Sequence, residues 1–110
     1  MSNKNEHLLV LSTCPGSISA KKIARDLVTE KLAACVNIVP GVQSFFAWVG
    51  KVDKANELLL VIKTTADTYA ALEKRLKKLH PYELPEIIAV PIHTGSSEYL
   101  NWISANTGKP

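Results

Sequence analysis

The sequence predicts an α+β fold in which a four-stranded antiparallel sheet carries two helices on one face and a short third helix follows at the end. Three observations predict it. Residues Cys35–Thr65 (CVNIVPGVQSFFAWVGKVDKANELLLVIKTT) read as two long strands and a turn, an antiparallel hairpin. Two runs with apolar residues at helical spacing flank that hairpin, and two short apolar runs bounded by turn residues flank the helices. The order is therefore β-α-β-β-α-β with a terminal helix.

His7–Thr13 (HLLVLST) is a buried strand closed by the turn Cys14-Pro15-Gly16. Ser17 or Ser19 caps the next helix, whose apolar positions Ala20, Ile23, Ala24, Leu27, Val28 and Leu32 share one face and which ends near Ala33–Ala34. Cys35–Val39 starts the second strand, and Pro40-Gly41 bends or bulges it. Beyond the bend, Val42, Ser44, Phe46, Trp48 and Val52 fall on one face and Gln43, Phe45, Ala47, Val49 and Lys51 on the other. Asp53-Lys54-Ala55-Asn56 is the expected turn, and Glu57–Thr64 (ELLLVIKT) returns. Asp67 caps a second helix with Tyr69, Leu72, Leu76 and Leu79 inward, which stops before Pro81. Glu86–His93 is a fourth strand whose Pro91 places it at a sheet edge or bulge. Ser96 caps the last helix, carrying Tyr99, Leu100, Trp102 and Ile103, and the tail from Asn106 is expected to be loose.

Right-handed crossovers put the two main helices on the same face, the ferredoxin-like arrangement. Apolar residues on both faces of the hairpin strands mean that both faces are covered. The two helices cover one, and the chain holds nothing else large enough for the other. A second copy of the protein is the expected cover, with the long hairpin offering edges to it.

Length and composition bound the rest. One domain spans the 110 residues, and an apolar content of 46% with 21% charge is that of a globular protein. The net charge is +3, and the positive charges are scattered, with one group at Lys21, Lys22 and Arg25 and a second at Lys74, Arg75, Lys77 and Lys78. The second group reads as the solvated side of a helix, with no aromatic platform for bases, so no nucleic-acid partner is expected. The polar start MSNKNEH carries no signal-peptide pattern and no apolar run spans a membrane. Cys14 and Cys35 are then expected as free thiols in a reducing cytoplasm.

Enzyme signatures are missing: the sequence has no glycine-rich phosphate loop and no nucleophile elbow. Gly41-Val42-Gln43 resembles an acylphosphatase loop, but Ser44-Phe45-Phe46 supplies no arginine for a phosphate. Neither an enzymatic activity nor an organic cofactor is expected. The stretch His80-Pro81-Tyr82-Glu83-Leu84-Pro85-Glu86 sets an imidazole, a phenol and two carboxylates between stiff prolines. It reads either as a polar cluster facing a cleft or as a helix stop with His80 at a helix C-terminus. Glu57 and Lys63 share a strand face with Leu59 and Val61, and with Tyr82 and Glu83 they are expected to line a pocket closed by a neighbouring subunit. Trp48 and Trp102 read as core or interface anchors, and Cys35 as a small buried hydrophobe.

Five ordered motifs then resemble a known family: Lys31-Leu32-Ala33-Ala34-Cys35-Val36-Asn37; Ser44-x-x-x-Trp48-x-Gly50-Lys51; Glu57 to Lys63-Thr64; His80-Pro81-Tyr82-Glu83-x-Pro85-Glu86; and Tyr99-Leu100-x-Trp102. Together they are similar to the CutA divalent-cation-tolerance family from Leu8 to about Asn106. The resemblance implies a ferredoxin-like homotrimer, a cytoplasmic role tied to copper or another divalent cation, and no established catalysis. It also implies copper ligands at a first-strand cysteine and a histidine pair. Here Ser12 and Leu79-His80 stand in those places. His80 alone matches, and Cys14, two residues beyond Ser12 on the same strand side, is its candidate partner for weak copper binding. Two other readings remain: a trimeric small-molecule sensor similar to PII signalling proteins, and an interaction scaffold linked to metal only indirectly.

Overall fold

The computed structural model describes residues 6–108. The elements follow the expected order: β1 (His7–Cys14), α1 (Ser17–Thr29), β2 (Cys35–Trp48), β3 (Lys51–Thr65), α2 (Ala66–Leu79), β4 (Ile88–Pro91) and α3 (Ser97–Ala105). The strands form one antiparallel sheet in the order β2-β3-β1-β4. Pro91 lies on an edge strand, as its missing N–H requires, and β4 is only 4 residues long rather than the expected eight-residue run.

Helices α1 and α2 cover one face. Val10, Ser12, Cys14, Leu60 and Ile62 point into that layer against Ala20, Ile23, Leu27, Leu72 and Leu76, all of them fully buried. The opposite face carries Leu9, Leu11, Leu59, Val61, Ile88 and Val90, as the strand register dictates. Helix α3 takes one end of it: His7, on the Leu9–Leu11 side, bonds Ser104 at 2.8 Å, and Ile103 is fully buried outside the main core. The rest stays open, with Ile88 51% and Val90 44% exposed.

Several expectations about local structure are corrected. The hairpin turn is Val49-Gly50, with Trp48 opposite Lys51, and Asp53–Asn56 are ladder residues paired with Phe46–Gln43. Both turn residues have positive φ (50° and 74°), the geometry whose twist matches that of the strands, and Gly50 supplies it where Asp53–Asn56 has no glycine. Val52 therefore faces the side of Ala47 and Phe45, not that of Trp48.

Helix α1 stops at Thr29, short of Ala33–Ala34. Lys31 turns left-handed at φ 61°, and the bonds Leu32 N–H to Leu27 O and Lys31 N–H to Val28 O close a Schellman cap. The helix caps differ as well. Gly16 precedes α1, with Ser19 donating back to the Gly16 carbonyl, and Thr65 rather than Asp67 is the N-cap of α2. Ser96 does cap α3 through Tyr99 N–H. The tail is held as far as it is described, by Thr107 Oγ1 on Ile103 O and Gly108 N–H on Lys31 O. Residues 1–5 of the polar N-terminus and 109–110 of the tail lie outside the described residues. At Pro40-Gly41 the register shifts between Val39 and Val42, the expected bulge within one continuous strand.

Candidate functional site

Where α2 ends, the chain turns through Pro81 and places two rings against the end of β1. His80 is the C-cap of α2, buried, with its N–H on Leu76 O. Its Nδ1 accepts from the Tyr82 backbone N–H at 3.1 Å, so that nitrogen carries no proton. Its Nε2 then donates to the Thr13 carbonyl at 2.7 Å. The hydrogen-bond network thus fixes a neutral imidazole in one tautomer. The ring packs on Tyr82 with centroids 4.9 Å apart, and Cys14 Sγ lies 3.8 Å from Nε2.

Tyr82 carries the relay onward. Its hydroxyl donates to Glu57 Oε2 at 2.7 Å, and Glu57 is buried at the bulged part of the hairpin, opposite Val42. Burial first, then the bond to Glu57 and its charge, push the Tyr82 hydroxyl up to about 12. Burial and then the charge of Glu57 push the Cys14 thiol up to about 11. Both groups stay protonated at neutral pH.

The expected copper pair is therefore together in space, yet it does not fit the metal. Cu(II) asks for an imidazole lone pair and Cu(I) for a thiolate. The Nδ1 lone pair of His80 is occupied by a backbone N–H, Nε2 carries the donated proton, and Cys14 is a fully buried neutral thiol. Ser12 is also fully buried in the core, and its hydroxyl has no partner among the described residues. Among the described residues no group of three or more His, Cys, Asp and Glu is gathered as a metal would need. The cluster reads as a polar tie between β1, the α2–β4 connection and the hairpin.

The expected pocket divides in two. Glu57 and Tyr82 meet, but Lys63 sits six residues further along β3, roughly 20 Å away at strand spacing. The Lys63 ammonium bonds Asn37 Oδ1 and lies 3.9 Å from half-buried Cys35 Sγ, its cross-strand neighbour. Glu83 is exposed. Trp48 is 58% exposed beside the hairpin turn, and Trp102 is 44% exposed and stacked on Tyr99 at 5.4 Å, so neither is a core residue of the single chain. Two participants escaped the sequence reading. The Thr13 carbonyl has no sequence signal, whereas Asn37 shares its strand side with Cys35, two residues away, and so was findable by alternation.

No helix among the described residues is long and apolar enough to cross a membrane. Comparison with known proteins places this geometry in a family. The model of the CutA1 divalent ion tolerance protein family matches residues 8–106. The divalent-cation tolerance protein CutA of Thermus thermophilus is 52% identical over 100 residues, which cover 91% of this chain and 97% of that one. A CutA homolog of Xenopus laevis is 46% identical over 91 residues, 83% of this chain but 60% of that longer protein. The solved structure of the Thermus thermophilus divalent cation tolerance protein superposes with a TM-score of 0.91 at 51% identity, covering 93% of this chain and 99% of the other. The chain belongs to the CutA1 divalent ion tolerance family.

Proposed function

We propose that this protein acts in cellular tolerance of divalent metals as a non-enzymatic homotrimer of ferredoxin-like subunits. The observation that carries the assembly is the open sheet face. Leu9, Leu11, Leu59, Val61, Ile88 and Val90 form an apolar surface that α3 covers at one end only. Beyond it, Phe45 (67% exposed) and Trp48 extend along a hairpin that overruns the other strands. Such a surface is stable in water only against a partner, and a second copy supplies the same apolar face. The strand order β2-β3-β1-β4 with both main helices on one side supports the ferredoxin-like reading.

The metal link rests on family membership, and this chain's buried Cys14–His80 pair is not assigned as its copper centre. Two experiments test the reading. Light scattering should give a particle of about three times the 12.0 kDa chain at all workable concentrations. Cells lacking the gene should lose growth in raised Cu(II) or another divalent metal and recover it with the wild-type chain. Unchanged metal tolerance would remove the functional reading, and a folded monomer would remove the assembly.

A further inference from the structure

The open face of the sheet carries two charges that have no counter-charge among the described residues. Glu57 is only 8% exposed, and its one hydrogen bond among the described residues is to a neutral phenol. Lys63, on the same strand and the same face, is half-buried and among the described residues bonds only a side-chain amide and a thiol. The three ion pairs among the described residues are Lys22–Asp26, Arg75–Glu30 and Lys77–Glu73, and none involves Glu57 or Lys63. A desolvated carboxylate or ammonium without an opposite charge is costly, and covering this face would desolvate both further. The two cannot satisfy each other within one chain, because six residues of extended strand hold them roughly 20 Å apart.

We infer that Lys63 of one copy pairs with Glu57 of the next, so that the Glu57–Tyr82 site is completed by a second copy of this chain. The inference rests on the assembly proposed above and adds the contact that sets its register. The face is complementary to itself: its acid lies midway along β3, beside the bulge of β2, and its base six residues further on, with an apolar strip between. A head-to-tail arrangement lays the acidic end of one copy over the basic end of its neighbour, and in a closed ring every such charge finds a partner. The Tyr82 hydroxyl holds Glu57 Oε2, which leaves Oε1 for the incoming ammonium. Asn37 and Cys35 hold the Lys63 side chain within its own subunit before the neighbour arrives.

The test is a charge-reversal cycle read by mass photometry and thermal unfolding of the full chain. Lys63→Glu and Glu57→Lys should each weaken assembly by about tenfold or more, and the double reversal should recover most of that loss, since only contacting residues couple so strongly. If a reversal leaves no folded protein, the neutral cycle of Glu57→Gln with Lys63→Met replaces it and should show the same non-additivity. Strictly additive effects in an assembled protein would overturn the pairing while leaving the assembly intact. A wild-type chain that runs as a 12.0 kDa monomer would instead overturn the assembly on which the pairing rests.

Discussion

The backbone N–H of Tyr82 donates to Nδ1 of His80, two residues back, at 3.1 Å. That one bond decides what the imidazole can do. It commits Nδ1 as an acceptor, forces the proton onto Nε2, and turns Nε2 toward the Thr13 carbonyl at 2.7 Å. The histidine that looks most like a ligand in the sequence is a donor–acceptor bridge between two stretches of backbone.

A metal experiment follows directly. With both ring nitrogens engaged, stoichiometric Cu(II) added to the folded protein should leave the His80 ring C–H resonances sharp in a heteronuclear NMR spectrum. Selective broadening of those resonances at one equivalent would mean that the metal displaces the Tyr82 or Thr13 bond.

Replacing His80 tests the same bridge as structure. His80→Ala leaves a buried Thr13 carbonyl and the Tyr82 N–H without partners, each costing about 1–3 kcal/mol. Urea unfolding should show a loss of at least about 2 kcal/mol. A loss within about 0.5 kcal/mol, the range of ordinary surface substitutions, would show that water replaces both bonds at no cost.

Ser12 predicts the opposite sign. Its hydroxyl is wholly buried on the helix-covered face with no partner among the described residues. Ser12→Ala removes an unsatisfied polar group and should be neutral or stabilising by about 1 kcal/mol, read as an unchanged or higher unfolding midpoint. A drop of about 1 kcal/mol or more would reveal a hydrogen bond to that hydroxyl in solution.

These sites show where the sequence was legible and where it was not. Periodicity gave the element order, because apolar alternation and helical spacing are local properties of the chain. The hairpin turn was misplaced because four polar residues look more turn-like than Val49-Gly50, yet the backbone needs two positive φ angles and Gly50 lies there. The end of α1 was overrun because the apolar pattern continues through Leu32 to Ala33, while a left-handed Lys31 had already closed the helix. At the site, strand parity correctly put Glu57 and Lys63 on one face, but parity says nothing of separation along the strand. The Tyr82–Glu57 bond was within reach of the sequence because Pro81 and Pro85 stiffen a short connection beside the hairpin. The Thr13 carbonyl was not, since backbone partners leave no mark in the residue types.

Val49 offers a prediction at the turn. A β-branched residue at φ 50° is strained by roughly 1 kcal/mol or more. Val49→Asn, which tolerates that region, should raise the unfolding midpoint by an amount equivalent to about 0.5–1 kcal/mol. Its side chain is 85% exposed, so the single chain loses little packing in exchange. A lower midpoint would indicate that Val49 is buried against another copy in the assembled protein.

The relay also predicts a two-step loss of stability in alkali. Cys14 rises from its ordinary 9.0 to about 11 in the fold, through burial first and then the charge of Glu57. Tyr82 rises from 10.0 to about 12, through burial first and then its bond to Glu57. Both are acids whose neutral form the fold favours, so the folded state holds their protons more tightly than the unfolded chain does. Stability is then independent of these groups below about pH 9, where both states are protonated, and falls as pH rises and the unfolded state alone releases protons. Cys14 contributes the loss between pH 9 and about 11, and Tyr82 that between pH 10 and about 12. Urea midpoints measured from pH 8 to 12 should therefore decline through that window. Cys14→Ala should flatten the lower part of the decline. Tyr82→Phe should flatten the upper part and lower the plateau at neutral pH, because the Glu57 carboxylate loses its only hydrogen-bond donor among the described residues. A wild-type midpoint that stays level to pH 12 would place both groups in water, and an unchanged slope in Tyr82→Phe would mean that other groups carry the alkaline loss.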